Sequence, residues 1–138
     1  MSPVRDWFVN FKELISPIPV RIGNGEVIHA IGKGEIDVYV YNGSKWKRNY
    51  LIPVLYVPKL KYNLFSLSSA LDKDLKLSSD NLKCRLQYKR NVVAVGDRYE
   101  NLYKMRIKAC QQKTSGNSHE QAWIHTKKKR RFKLGMRN

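Results

Sequence analysis

The chain has 138 residues, which is enough for one domain with a hydrophobic core and too few for two. Its 27 basic and 11 acidic residues give a net charge of +16, which favours nucleic acid over other anionic partners. It has no run of 18 apolar residues, no signal-peptide pattern and only two cysteines, too few for a disulfide framework. We therefore predict an intracellular protein, cytoplasmic or nuclear and not secreted, with reduced thiols and no membrane partner.

The first predicted element is a short amphipathic helix at residues 5–15, because apolar side chains recur there at helical spacing. Ser16, Pro17 and Pro19 would end this helix. Its simplest role is to cover one end of the core. The apolar side chains are those of Trp7, Phe8, Phe11, Leu14 and Ile15.

The segment from residue 18 to residue 41 predicts a three-stranded antiparallel meander that organises the rest of the chain. Two glycine-bracketed turns, Gly23-Asn24-Gly25 and Gly32-Lys33-Gly34, separate its apolar runs. Asn-Gly favours a tight hairpin because both central residues of a type I′ turn need φ > 0. Residues 36–40 alternate with a period of two, which is typical of a half-buried strand.

The following segments predict further strands and a second helix. Asn42-Gly43 predicts another hairpin turn, and the strand after it becomes almost wholly apolar at 51–57, with a bend or edge at Pro53 and Pro58. Residues 63–71 space their apolar side chains by three and four, which predicts a short helix. Four more strands are predicted at 75–77, 82–88, 92–95 and 102–107, with turns at 79–81, 90–91 and 96–97.

Together these elements predict an all-β fold, a small closed or nearly closed antiparallel β-barrel or a sandwich with one or two short helices. We predict a folded domain at 1–107 and a basic, largely disordered tail at 108–138, with a marginal helix at 120–132. The tail has nine basic residues and one acidic residue, which is half of the net charge.

The basic run in the tail predicts non-specific nucleic-acid binding, with nuclear import and a solvated tail without a partner as the alternatives. The candidate phosphate-binding residues are Lys127, Lys128, Lys129, Arg130, Arg131 and Lys133.

No catalytic residue can be assigned from the sequence. No Asp precedes Ser/Thr-Gly, and neither a G-x-S-x-G elbow nor a phosphate-binding G-x-x-x-x-G-K-[ST] loop occurs. His29 and Cys84 are interpreted as ordinary strand residues. Cys110, His119 and His125 lack the spacing of zinc ligands, so we predict no metal site and no cofactor.

Four blocks of sequence resemble one known family over the first three quarters of the chain. They read W-F-V-N-F-K-E-L (7–14), I-P-V-R-I-G-N-G-E-V-I-H-A-I-G-K-G-E-I-D-V (18–38), V-L-Y-V-P-K-L-K-Y-N-L-F-S-L-S-S-A-L-D-K (54–73) and N-L-Y-K-M (101–105). The third block is the most specific. The chain resembles the β-barrel, aspartic-protease-like region of copia-type retrotransposon Pol polyproteins.

This resemblance implies that the catalytic aspartate would lie upstream of Met1. In the family an Asp-Ser-Gly-Ala loop is followed by His-Met-Thr/Ser and then by the Trp-Phe block, and Met1-Ser2 is similar to the end of that pattern. The resemblance also implies that Gly23, Asn24 and Gly25 form a flap-like hairpin. The helix predicted at 63–71 would lie under the active site, and the chain would form a homodimer.

The tail departs from the family. The next module of these polyproteins opens with a zinc-binding Trp-His-x-x-Leu-Gly-His motif, of which only Trp123, His125 and the K-L-G-M stretch at 133–136 remain, with Met136 at a histidine position. The tail is therefore interpreted as a degenerate start of that module, and zinc binding is not carried over.

These considerations lead to one main expectation and two alternatives. We expect an N-terminally truncated fragment of a Pol polyprotein that lacks the catalytic aspartate and has no proteolytic activity. The first alternative is a basic nucleic-acid-binding protein that uses the C-terminal Lys/Arg run. The second is an active dimeric aspartic protease, completed by an upstream Asp-Ser-Gly segment.

Overall fold

A computed structural model of the chain describes residues 1–66, 74–110, 121–124 and 133–135. After a 3-10 turn at Arg5–Trp7, every regular element of the described residues is a β-strand, which confirms the predicted all-β class. The strands are β1 (Phe8–Arg21), β2 (Val27–Tyr41), β3 (Trp46–Tyr56), β4 (Leu64–Phe65), β5 (Leu75–Ser79), β6 (Lys83–Tyr88), β7 (Asn91–Tyr99), β8 (Leu102–Ala109), β9 (Gln121–Ile124) and β10 (Lys133–Gly135).

The ten strands form one sheet in the order β10-β3-β2-β8-β7-β6-β5, with β1 paired to β2 and β9 paired to both β4 and β8. All pairs are antiparallel except β4 with β9. Within the described residues, hydrogen bonds do not close the sheet into a complete barrel, since β5 and β10 are the two ends of its order. The described residues also contain no helix long and apolar enough to cross a membrane.

Two hydrophobic cores lie along this sheet, and β2 contributes to both. The larger core includes Ile36, Val38 and Val40 of β2, and the smaller one includes Ile28 and Ala30 of the same strand. The alternation of buried and exposed residues along β2 has the period of two that was predicted for 36–40.

The predicted helix at 5–15 is wrong beyond its first turn, because β1 begins at Phe8. The pairing of β1 with β2 shifts register twice, between Val9 and Lys12 and again between Glu13 and Ile18. Each shift places extra residues in β1. The inward-facing side chains are consequently three or four positions apart, which is the spacing that imitates a helix.

Two predicted turns are also wrong, while those at 23–25, 42–43, 79–81 and 90–91 fall at the connections between consecutive strands. Gly32-Lys33-Gly34 lies inside β2 and Gly96-Asp97 lies inside β7, whose hairpin to β8 turns instead at residues 100–101. The turns at 23–25 and 42–43 connect β1 to β2 and β2 to β3 as predicted.

The predicted helices at 63–71 and 120–132 are wrong where the structure describes them, because Leu64–Phe65 and Gln121–Ile124 are strands. Residues 67–73 and the rest of the second segment lie outside the described residues. In the tail, β9 pairs with β4 and β8, and β10 pairs with β3. The prediction of a disordered tail otherwise concerns residues outside the described ranges.

Candidate functional site

The two N-terminal residues lie inside the fold, between β3 and β4. The Met1 amine donates a hydrogen bond to the Leu64 carbonyl (2.9 Å), and the Leu64 amide donates to the Met1 carbonyl (3.0 Å). The Ser2 amide donates a hydrogen bond to the Leu55 carbonyl, and the Val57 amide donates to the Ser2 carbonyl, at 2.9 Å each. Burial lowers the pKa of the Met1 amine well below its usual range, since a charged group is poorly solvated there.

A small apolar cavity of about 30 Å³ adjoins this N-terminal segment. Met1, Ser2, Trp7 and Asn63 contribute to its lining, together with core side chains of β2, β3, β4 and β8. Asn63 is buried, and its side-chain oxygen has no hydrogen-bond donor among the described residues. A cavity of this volume is far below the several hundred Å³ typical of a small-molecule site, so it is not a preformed substrate cleft.

The flap-like hairpin predicted at Gly23-Asn24-Gly25 is a tight, exposed turn. Gly25 has φ = +85° and its amide donates to the Ile22 carbonyl (2.9 Å), while the Ile22 amide donates to the Glu26 carbonyl (2.9 Å). The Asn24 side-chain oxygen accepts a hydrogen bond from the Glu26 amide (2.8 Å). None of the three turn residues lines the cavity. The flap role therefore stays a prediction.

Aspartates of the described strands and turns meet cations or backbone amides. Asp37, within β2, lies 3.8 Å from the Arg48 guanidinium, and Asp97 accepts two hydrogen bonds from Arg106, at 2.7 and 3.2 Å. Asp80 caps the β5–β6 turn, where the Leu82 and Lys83 amides lower the pKa of its carboxyl group. Asp6 is exposed in the 3-10 turn. Asp37 and Asp97 thus lie beside arginines and Asp80 lies beside backbone amides, an arrangement that differs from two adjacent carboxylates.

The candidate metal ligands are not brought together in the described part of the chain, where no group of three or more His, Cys, Asp or Glu side chains could hold a metal ion. His29 is an exposed residue of β2. The Cys84 thiol is fully buried 3.7 Å from the Met105 sulfur, and burial raises its pKa. Burial also raises the pKa of Cys110, while His119 and His125 lie outside the described residues.

Of the six basic residues predicted to bind nucleic acid, the structure describes only the backbone of Lys133. It begins β10 and pairs with Ile52 of β3. Residues 127–131 lie outside the described ranges.

A second basic surface was not identified from the sequence. On three neighbouring strands, every second residue of a short segment is aromatic or basic. The segments are Y-V-Y (39–41), W-K-R (46–48) and K-M-R-I-K (104–108). Each segment alone is typical of an ordinary half-exposed strand. The signal that could have identified the surface is their shared period of two, which becomes informative only once the strand order is known.

Comparison with protein families identifies the relationship that the sequence blocks suggested. The profile of the family described as "Pol polyprotein, beta-barrel domain" matches residues 1–75, more than half of the chain. The chain belongs to this family. The matched residues run from the N-terminal segment to the first residue of β5. The Pol β-barrel profile therefore covers β1–β4 of the chain. No curated protein and no solved structure matches the chain.

Proposed function

We propose that these 138 residues are a copia-type Pol β-barrel domain that does not hydrolyse peptides with its own side chains. The observation that carries this proposal is the lack of any Asp-Ser/Thr-Gly sequence in the chain. An aspartic protease needs two carboxylates that share one proton and activate a water molecule. The ion pairs of Asp37 with Arg48 and of Asp97 with Arg106 support the proposal, because each joins the carboxylate to a cation and not to a second carboxylate.

The test is incubation of the chain with fluorogenic peptides and an unfolded protein substrate between about pH 3 and pH 7, with and without pepstatin. We expect no cleavage above that of a buffer blank. Pepstatin-sensitive cleavage by the chain would overturn the proposal.

A fusion protein tests whether the fold is still that of a protease. A family-like segment that ends in Asp-Ser-Gly-Ala-x-x-His, placed ahead of Met1, would enter the fold beside Leu64, to which the Met1 amine is hydrogen-bonded. We expect weak activity with an acidic optimum, in a species that sediments as a dimer. Replacing the added Asp by Asn should abolish this activity. A fusion that folds and dimerises without activity would mean that the remaining domain no longer supports catalysis.

We propose as a second function that the tail binds nucleic acid without sequence preference. The supporting observation is its net charge of +8 between residues 108 and 138. If each of the five charges at 127–131 contacts a phosphate, the logarithm of the duplex affinity should fall with the logarithm of salt concentration with a slope of about −4 to −5.

The variant that tests the tail replaces residues 127–131 by glutamine and retains residues 133–135, because β10 pairs with β3. We expect it to lose most of the salt dependence for duplex DNA. An unchanged slope would place duplex binding elsewhere on the molecule.

A further inference from the structure

A patch of aromatic and cationic side chains covers the outer side of β2, β3 and β8. On β2, Val38 and Val40 face the core, so the residues between and beyond them face outward. The antiparallel register places Tyr39 between Arg48 of β3 and Lys108 of β8. We call this surface the outer patch. Its six members are Tyr39, Tyr41, Trp46, Arg48, Arg106 and Lys108.

Two aromatic rings of the outer patch, Tyr39 and Trp46, are partly accessible, and cations lie over the rings of Tyr41 and Trp46. Tyr39 is 42% exposed and Trp46 is 37% exposed. The ring centroids of Tyr41 and Trp46 are 5.4 Å apart. The Lys108 ammonium lies 4.1 Å from the Trp46 centroid, and the Arg106 guanidinium lies 5.2 Å from that of Tyr41.

The charge of the outer patch is only partly neutralised. Arg106 is held by Asp97 in a two-point ion pair. Arg48 is 3.8 Å from Asp37, but its side chain is 59% exposed. Lys108 has no acidic partner among the described residues, and its ammonium meets only the Trp46 ring. Arg48 can therefore reach a phosphate, and Lys108 can do so by moving off the Trp46 ring, which it now covers.

This arrangement matches the chemistry of a single-stranded nucleic acid. Accessible aromatic rings stack with unpaired bases, and flanking cations follow the phosphate backbone. A duplex cannot use such rings, because its bases are already stacked with one another inside the helix. We propose that the outer patch is a binding site for single-stranded RNA or DNA, with Tyr39 and Trp46 as base-stacking residues and Arg48 and Lys108 as phosphate contacts.

The site does not depend on the basic run at 127–131, since all six side chains belong to β2, β3 and β8, and Lys108 is the one residue of the tail among them. The test is fluorescence anisotropy of the full chain with labelled 12-nucleotide oligo(U) and oligo(dT) and with a 12-base-pair duplex. Changing Trp46→Ala should weaken single-strand binding by at least about fivefold, which corresponds to the loss of one stacked base. The same factor should appear when residues 127–131 are glutamine, which separates this site from the tail.

The chain contains a matched control on β6. Tyr88 is also 37% exposed, and the Lys89 ammonium lies 5.6 Å from its ring centroid. Tyr88→Ala and Lys89→Ala therefore remove the same kinds of group at another place on the surface. We expect each variant to bind the single-stranded oligonucleotides within twofold of the parent affinity. Lys108→Ala should weaken binding, whereas Trp46→Phe should largely preserve it, because a ring remains. Unchanged Tm and circular dichroism will establish that each variant folds.

Several outcomes would overturn the proposal. Equal effects of Trp46→Ala and Tyr88→Ala would exclude a local stacking site, as would equal binding of duplex and single strand with no dependence on Trp46. Displacement of the oligonucleotide by polyglutamate at matched charge would instead indicate an acidic protein surface as the partner. If Trp46→Ala does not fold, Tyr39→Ala is compared with Tyr88→Ala by the same criteria. Preference for oligo(U) or oligo(dT) distinguishes RNA from DNA.

Discussion

At Gly96, the lack of a side chain lets β7 lie close to both of its neighbours. A β-carbon at this position would be 2.7 Å from the Met105 sulfur and 2.8 Å from the Cys84 sulfur. All three residues are buried, so there is no exposed, flexible group that could move away. The glycine is thus required for packing and not for a turn.

We predict that Gly96→Ala destabilises the domain by about 1–3 kcal/mol, because overpacking a dense core forces its neighbours to shift. The matched control is Gly23→Ala, where a β-carbon would meet nothing within 4 Å, and it should stay within about 0.5 kcal/mol of the parent. Urea denaturation measures the free energy of unfolding of both variants. Equal stabilities of the two variants would contradict this account of Gly96.

The buried Met1 amine predicts a specific dependence of stability on pH. The folded state favours the neutral amine, so between its lowered pKa and about pH 8 the unfolded chain binds more protons. Stability should therefore rise with pH across this window and level off above it. The measurement is Tm against pH for the free-amine chain and for an Nα-acetylated chain, which has no titrating amine and should show a shallower rise. Parallel curves of Tm against pH would mean that the Met1 amine does not contribute to the pH dependence of stability.

At the scale of elements, the β2–β3 hairpin depends on one side-chain acceptor. The Asn42 oxygen accepts hydrogen bonds from the Ser44 and Lys45 amides, at 2.9 Å each, while Gly43 has φ = +98°. We predict that Asn42→Ala costs about 1 kcal/mol of stability. Asn42→Asp retains the acceptor and should cost less. Chemical denaturation compares the two, and an Asp variant as unstable as the Ala variant would argue against the acceptor role.

The hairpins could be predicted from local sequence because their chemistry is local. The positions of the turns at Asn24-Gly25 and Asn42-Gly43 were predicted correctly, but the type I′ geometry was not, because φ is positive at Gly25 and Gly43 and not at Asn24 or Asn42. The strand at 36–40 could also be predicted locally. A strand with one buried face alternates apolar and polar residues, and this alternation is visible within five residues.

The glycines inside strands could not be distinguished from turn glycines. The Phe11 ring occupies the place where a β-carbon of Gly32 would lie, and such a carbon on Gly34 would be 3.0 Å from the Val9 carbonyl oxygen. Both contacts come from β1, which itself looked helical because of its bulges. Only the pairing of β1 with β2 shows that these glycines allow a neighbouring strand to approach closely.

At the scale of the whole molecule, the family could be predicted from sequence and the outer patch could not. Each of the blocks at 7–14, 18–38 and 54–73 is a continuous stretch of sequence, and all three lie within the matched residues 1–75. The outer patch combines side chains from β2, β3 and β8, and β8 lies more than sixty residues from β2 in the sequence. Its composition is visible in the sequence, but its assembly depends on long-range strand order.

We predict that limited trypsin first cleaves the basic run at 127–131 and Lys113, leaving a core that ends near residue 110. Sites such as Lys104 and Arg106 lie in β8, whose backbone pairs with β2 and β7 and is poorly accessible to a protease. Mass spectrometry of early products identifies the cuts. Equally rapid cleavage between residues 18 and 60 would show that the sheet does not protect its strands.

The continuity of β2 has a consequence for cooperativity. Ile28 and Ala30 belong to one core and Ile36 to the other, and between them Phe11 packs over Gly32 and contacts Phe8 and Tyr56 edge-to-face, with centroids 5.5 and 5.7 Å away. Neither core can lose its order without releasing the strand that supports the other. We therefore expect a single calorimetric transition in which the van't Hoff and calorimetric enthalpies agree. Phe11→Ala, which removes the ring at this junction, should separate the melting of the two cores and broaden that transition.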